Sequence, residues 1–450
     1  MHFVAIGGVG MAALAELLHA LGYDVSGSDL KPSRTVQRLV RLGIPVGVGA
    51  HDADNVGDAD HVIVSAAVPP GNPEVVRAQE RGVEVLSRAE LLGQILDAGR
   101  GVAVAGTHGK TTTSSMLARA LEVAGFEPSF LIGGDVNDVG SGAGLGASDL
   151  VVAEADEFSG SFLKLRPELA VVTNVDRDHL DFFEDQQAID DAFVRFLDGR
   201  REAGTAVICV SDEGVQRIRA RIAAPVVTYG FADADLVVDG HGEVTWHGRR
   251  VGALRPVVPG RHNVLNAAGA AAAALVLGAE PGLVLEALRS FAGVDRRFSV
   301  RGEHGGVVVV DDYAHNPRKI AATIEAAKSA YSGRRLVVLF QPHLFSRTLT
   351  LAADFGGAFE GADVVVVTDV YGDREEPLPG VSGRLVLDAV RQRTPDATVV
   401  YVPRLEEAAG FVAGICKPGD VVVTMGAGDV TTAAPHILRL LETMDGAGAP

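Results

Sequence analysis

Three times along the chain a short aliphatic run ends in glycines or polar residues and is followed by a helical pattern, with further strand patterns behind it. Such alternation points to parallel sheets, because parallel neighbours cannot be joined by a tight hairpin and need a helical crossover. The first set opens with a strand from His2 to Ile6, a glycine turn and a helix from about Met11, then strands at Val46–Val48, His61–Ser65 and Glu84–Leu86. The second opens with Gly101–Ala105 and continues with Leu150–Ala153, Leu169–Thr173 and Thr205–Val210. It also carries the polar hairpin pattern LVVDGHGEVTWHGRRVGAL and ends in an alanine-rich helix from Asn266 to Leu277. The third has strands at Val307–Val310, Leu336–Phe340, Asp363–Thr368, Val399–Val402 and Asp420–Met425. A chain of 450 residues exceeds the ~100 to 200 residues of one domain. The restarts divide it near Ser87 and Gly293, into residues 1–87, 88–292 and 293–450.

Charge narrows the partners. Lys and Arg total 40 against 58 Asp and Glu, a formal net charge of −18, which disfavours nonspecific attraction to nucleic acid or to an anionic membrane. An anionic ligand must therefore be held locally. Cys209 and Cys416 make neither a disulfide framework nor a thiolate metal site, and a reducing cytoplasm is the expected compartment. The apolar start, MHFVAIGGVGMAALAELL, has no Lys or Arg before it and is interrupted by Glu16, so a signal peptide is not expected. Val264–Ala279 is shorter than the ~20 apolar residues a bilayer requires and reads as a buried helix.

Four groups of residues carry chemistry. GGVGMAA follows the first strand and contains Gly8, Gly10 and Ala13 at dinucleotide-fingerprint spacing, with Asp29 nineteen residues beyond Gly10. Glycines let backbone approach a pyrophosphate and the later acid accepts a hydroxyl, so NAD, FAD or a UDP-sugar all fit. Gly106-Thr107-His108-Gly109-Lys110-Thr111-Thr112 is a shortened phosphate loop between strand and helix, with Val104 where the full spacing has Gly. Here backbone amides cradle phosphates, Lys110 neutralises charge and the Thr111 hydroxyl suits Mg²⁺. The ends of the next strands supply Glu154, Asp156 and Glu157, then Asn174, Asp178 and His179. Oxygen donors with one imidazole beside a phosphate loop suggest Mg²⁺ over zinc. Further on stand Arg261, His262, Asn263 and Asn266; Arg296 and Arg297; Asp311, Asp312, Tyr313, His315 and Asn316; and His343 with Arg347. Arginines suit a developing phosphoryl charge, Asp312 a ribose, and His343 with Arg347 a carboxylate. A nicotinamide-dependent oxidoreductase accounts for GGVGMAA and Asp29 but leaves GTHGKTT, Glu154 and His179 idle. A non-catalytic nucleotide scaffold leaves the metal and phosphate residues without a purpose.

The ordered series GGVGM, SGSD, GTHGKTTT, EADE, TNVDRDHLD, GRHNVLNAAGA, RRF, DDYAHNP and FQPHLFSRT resembles the Mur ligases, most closely the branch that adds L-alanine to UDP-N-acetylmuramate, from about residue 2 to residue 430. The resemblance implies an α/β protein of three domains: an N-terminal Rossmann-like domain for the UDP-sugar, a central P-loop ATPase-type parallel sheet, and a C-terminal Rossmann-like domain for ATP and the amino acid. It implies Lys110 in the phosphate loop with Gly106, Thr107, Gly109, Thr111 and Thr112, and Mg²⁺ ligands at Thr111, Glu154 and His179. Asn263, Asn266 and Asp312 fall on adenosine contacts and Arg297 near the phosphates. Gly7, Gly8, Gly10, Ser28, Asp29 and Ser65 fall on the UDP-sugar loop, and His315, His343 and Arg347 on the amino-acid pocket. The implied reaction is ATP-dependent amide formation through an acyl phosphate, the alternative within the family being addition of another small amino acid or a peptide. The family's usual HHP reads His315-Asn316-Pro317 here, and DAFVRFL lacks the lysine that sister ligases carry carbamylated, as expected of the alanine-adding branch.

Overall fold

The computed structural model describes residues 1–447 apart from 137–140, 178–181, 224, 374 and 395. The chain forms two compact units, one of Met1–Val257 with Asn263–Val294 and one of Val258–His262 with Asp295–Pro450. The first unit holds two sheets and the second holds one.

The N-terminal sheet contains β1 (His2–Val4), β2 (Ser26–Asp29), β3 (Val46–Val48), β4 (His61–Val64) and β5 (Glu84–Ser87), in the order β3-β2-β1-β4-β5 and all parallel. β1 stops at Val4, two residues before the expected end, because Ala5 takes a left-handed φ of 59° and the chain turns into helix Val9–Ala20. That helix buries Met11, Ala12, Leu14, Ala15, Leu17 and Leu18.

The second sheet comprises β6 (Arg100–Ala105), β7 (Ser129–Val136), β8 (Ser141–Gly144), β9 (Leu150–Glu154), β10 (Leu169–Val172), β11 (Thr205–Cys209), β12 (Val226–Gly230), β13 (Leu236–Val238), β14 (Glu243–Trp246) and β15 (Arg249–Ala253). Its order is β15-β14-β13-β12-β11-β10-β6-β9-β7-β8. β6 pairs in parallel with β10 on one side and β9 on the other. Alternation along β6 decides its packing: Val102 and Val104 join the apolar cluster with helices Lys110–Val123 and Arg261–Val276, while Ala103 and Ala105 join the opposite one. Both faces are covered, as a parallel sheet requires. Within the second cluster Phe162 stacks on Phe196 at 5.0 Å and meets Phe193 edge-on at 5.2 Å. The expected hairpin segment forms the antiparallel run β13-β14-β15.

The third sheet contains β16 (Ser299–His304), β17 (Val307–Asp312), β18 (Leu336–Phe340), β19 (Val364–Val367), β20 (Thr398–Tyr401) and β21 (Val421–Met425), in the order β16-β17-β21-β18-β19-β20. Only β16 is antiparallel to its neighbour. Val308 and Val310 pack to one face, Val307 and Val309 to the other. The central strands of all three sheets lie within a residue or two of the expected ranges, and β2, β7, β8, β12 and β16 are strands beyond those expected.

Phe162 has no exposed surface, so Phe162→Ala leaves an apolar void and is expected to cost ~3 to 5 kcal/mol in chemical denaturation. A variant whose unfolding midpoint matches the parent's shows that the aromatic cluster is not structural.

Candidate active site

The chain leaves β6 through a loop that two glycines make possible. Gly106 has φ 136°, and a Cβ there stands 2.0 Å from Thr173 Oγ1. Gly109, the residue before helix Lys110–Val123, has φ 81°, and its Cβ stands 2.3 Å from Asn266 Oδ1. Side chains therefore cannot occupy either position without displacing the loop. Residues after β10 hold the loop from the other side. Thr107 N donates to Asn174 O at 3.2 Å and His108 N to Asn174 Oδ1 at 2.8 Å, while His108 O accepts from Thr173 Oγ1 at 2.6 Å and Asn174 Nδ2 at 2.8 Å. The helix that follows has no side-chain cap and no acid in its first turn, which leaves its first N–H groups and positive dipole end suited to an anion.

Lys110 is 12% exposed and its Nζ donates to Gly106 O at 2.8 Å and Glu157 Oε2 at 2.6 Å, with Asp156 at 4.0 Å. Burial pulls its pKa down, but the carboxylates of Glu157, Asp156 and Glu154 outweigh burial and raise it, so the ammonium stays charged. Thr111 Oγ1 donates to Glu154 Oε1 at 3.2 Å, and Glu154 Oε2 accepts from Gly133 N at 2.7 Å. Asn263 and Asn266 are both buried and joined by a 3.2 Å bond from Asn266 Nδ2 to Asn263 Oδ1. Gly106, Thr107, Gly109, Lys110, Thr111, Thr112, Glu154, Asn263 and Asn266 are thus one constellation. His179, assigned to the same metal set from the sequence, lies outside the described residues. Glu157, expected only as one of several acids near the site, is the lysine's partner; no local pattern pairs residues 47 apart.

At the carboxyl edge of the N-terminal sheet, Gly7 N donates to Asp29 Oδ2 at 2.8 Å, and a Cβ on Gly7 meets that oxygen at 2.7 Å. Gly8 precedes helix Val9–Ala20, again without a side-chain cap. Gly10 lies under Arg88, whose Nη1 is 2.6 Å from the Cβ position and whose Nη2 is 4.0 Å from Asp156 Oδ2. Ser65 immediately follows β4. Ser28 is turned inward: its Oγ donates to Glu74 Oε2 at 2.7 Å. Glu74, unmarked in the sequence reading, is fully buried and also takes His2, His51 and Asn55. Burial raises its pKa, yet these bonds outweigh it and bring the carboxyl down to about 2.

The second unit gathers the remaining residues. Asp312 is buried and accepts from Phe298 N at 2.7 Å, Ala314 N at 2.8 Å and Thr323 Oγ1 at 3.2 Å. Most of its lone pairs therefore hold this unit's own chain, and burial pushes its pKa up. Arg296 and Arg297 both lie against the Tyr313 ring, 4.8 Å and 5.2 Å from its centroid, and Arg296 bonds the carbonyls of Gly426 and Gly428. His315 and His343 are 6.2 Å apart, His343 stacks on Tyr371, and Arg347 Nη1 is 3.3 Å from His343 Nδ1. Burial above all, with the nearby charges of Lys319 and Arg347, holds the His315 pKa well below its usual value. Asn316 is the N-cap of helix Pro317–Ala330, its Oδ1 accepting from Lys319 N at 3.0 Å, with Pro317 in the first turn.

Gly109→Ala places a methyl against Asn266 in a left-handed position. It is expected to weaken ATP binding at least about ten-fold in calorimetric titration, since the loop must shift before its amides can meet phosphate. Unchanged affinity contradicts the role given to the loop.

Three family models match in chain order: the Mur ligase family catalytic domain over residues 1–100, the Mur ligase middle domain over 104–274, and the Mur ligase glutamate ligase domain over 296–428. The chain is 49% identical over 447 residues to the UDP-N-acetylmuramate–L-alanine ligase of Solidesulfovibrio magneticus, covering 98% of this chain and 97% of that one. It is 44% identical to the protein of the same name from Rubrobacter xylanophilus, covering 98% and 100%. Among solved structures, the UDP-N-acetylmuramate-alanine ligase of Thermotoga maritima superposes with a TM-score of 0.82 at 31% identity, covering 99% of each chain. A murein peptide ligase from Psychrobacter arcticus gives 0.71 at 26% identity, covering 98% of each. The phosphate loop with its buried lysine, the glycine turn over Asp29 and the two histidines beside Arg347 are thus parts of one protein, and the chain belongs to the Mur ligase family.

Proposed function

We propose that the chain is an ATP-dependent ligase that joins L-alanine to the lactyl carboxylate of UDP-N-acetylmuramate, releasing ADP and phosphate, in peptidoglycan precursor synthesis. What carries the reading is the intact Lys110–Thr111–Glu154 constellation in a chain similar over its full length to relatives bearing that ligase's name. A lactyl oxygen attacks the γ-phosphorus of ATP and forms an acyl phosphate with loss of ADP. The amine of L-alanine then attacks the acyl carbon, and the tetrahedral intermediate expels phosphate as the amide forms. Carboxylates are poor electrophiles, so the protein's task is positioning and stabilisation of charge.

Lys110 serves the first step: its raised pKa keeps a positive charge beside the helix N-terminus where phosphate oxygens sit, in exchange for Glu157. Arg297 is assigned to the phosphates, with Asn263, Asn266 and Asp312 toward adenosine. Thr111 and Glu154 are oxygen donors 3.2 Å apart and fit Mg²⁺, with His179 the further candidate. When bound, the ion supplies neutralisation of phosphate charge. In the second unit Arg347 suits the alanine carboxylate. His315 Nδ1 faces Tyr313 O at 2.8 Å, so Nδ1 carries the proton and Nε2 is left as an acceptor toward the amine. Gly7, Gly8, Gly10, Asp29 and Ser65 are assigned to the UDP-sugar. Both cysteines are free thiols, which is in keeping with a reducing cytoplasm. No helix among the described residues is long and apolar enough to cross a membrane.

Mass spectrometry of the product from ATP, Mg²⁺, UDP-N-acetylmuramate and each amino acid in turn tests the reading; no alanyl product overturns it. Lys110→Ala is expected to lower kcat/KM by roughly a thousand-fold or more, with the UDP-sugar dissociation constant within about two-fold of the parent's. Equal loss of both contradicts the assignment. Glu154→Ala is expected to raise the Mg²⁺ concentration needed for half-maximal turnover, and a titration superimposable on the parent's removes Glu154 from the metal. Because Asn316 caps a helix, Asn316→His is expected to leave the ratios of kcat/KM for L-alanine, glycine and L-serine unchanged while costing ~1 kcal/mol of stability. A change in those ratios returns position 316 to the amino-acid pocket.

A further inference from the structure

The period of two along β1 and β2 turns His2, Ser26 and Ser28 to one face of the N-terminal sheet, and the register sets His2 opposite Ser26. Glu74, in the first turn of helix Pro73–Glu80, closes over them. Its Oε1 lies 3.0 Å from His51 Nδ1 and 2.9 Å from Asn55 Nδ2; its Oε2 lies 3.0 Å from His2 Nε2 and 2.7 Å from Ser28 Oγ. An ionised carboxylate offers about four lone-pair sites and no donor, so all four neighbours must donate. Each imidazole therefore presents a proton to Glu74. His2 carries its proton on Nε2 and uses Nδ1 to accept from Ser26 Oγ at 2.9 Å. His51 carries a proton on Nδ1, also 3.2 Å from Ser28 Oγ, and among the described residues its Nε2 makes no hydrogen bond and is not sealed from solvent. His51 follows β3 and Ser28 lies on β2, beside Asp29 and the glycine turn.

We propose that Glu74 is a positioning residue for the UDP-sugar: it locks Ser28 and holds His51 as the Nδ1–H tautomer, so that Nε2 presents a lone pair to an N–H donor of the ligand. The inference rests on the proposed function. A glutamine at 74 keeps the volume but turns an –NH₂ toward two groups that must donate, so one pair of bonds is lost and the imidazole is freed to rotate or change tautomer.

The test combines kinetics with imidazole spectroscopy. In Glu74→Gln the KM for UDP-N-acetylmuramate is expected to rise at least about ten-fold, with kcat within about three-fold and the KM values for ATP and L-alanine unchanged, as loss of a ground-state contact requires. Long-range ¹H–¹⁵N spectra of the ¹⁵N-histidine-labelled parent, with His51 assigned by its absence in His51→Gln, are expected to show Nδ1 protonated and the Nε2 resonance moving on addition of UDP-N-acetylmuramate. A proton on Nε2 in the parent, or an Nε2 resonance indifferent to the sugar nucleotide, overturns the inference, and this measurement stands even if Glu74→Gln does not fold. Ligation by the parent with an unchanged KM in Glu74→Gln overturns the inference alone. Absence of ligation by the parent overturns the reading beneath it.

Discussion

A charged lysine held largely out of water must be neutralised where it sits, and the neutralisation of Lys110 organises the catalytic half of the first unit. Glu157 supplies the charge at 2.6 Å and is only 3% exposed itself, so the segment after β9 is tied to the segment after β6. Gly106 then accepts from the same ammonium, which places its carbonyl inside the turn. Asp156 and Glu154 add to the charge that raises the lysine pKa, while Thr173 and Asn174 hold the loop and Gly133 N holds Glu154 beside Thr111.

The N-terminal sheet uses the same physics with different partners. Glu74 is a buried carboxylate that, among the described residues, has no lysine or arginine on it and is held by His2, His51, Ser28 and Asn55. A carboxylate with every lone pair occupied is rigid, because moving it breaks several bonds at once. One of those bonds holds Ser28, next to Asp29 at the strand end. In the second unit Asp312 has the same task, collecting two backbone N–H groups and Thr323, and thereby fixing the turn that carries His315.

Much of this was legible in the residue order. Central strands are bare aliphatic runs, so Val102–Ala105, Leu336–Phe340 and Val421–Met425 announce themselves. Polar or glycine-rich strands do not: Ser26–Asp29, paired between β3 and β1, and the edge strands Ser141–Gly144 and Ser299–His304 become strands because a neighbour offers its open edge. The phosphate loop was readable because strand, glycines, lysine and threonine are contiguous. Glu157 and Glu74 were not, since their partners lie 47 and up to 72 residues away and nothing local distinguishes them from solvated acids. Position 316, which departs from the family's histidine, is explained by the helix it caps.

The sequence by itself determined the α/β class, the three strand-and-helix sets, the phosphate loop and the family, because each is written in neighbouring residues whose periodicity and steric limits act locally. Only the tertiary structure decided which acid neutralises Lys110, that Glu74 gathers His2 and His51, and that Asn316 caps a helix. Those outcomes depend on distances between groups far apart in the chain, and a hydrogen bond or ion pair exists only once folding has brought its two ends within reach.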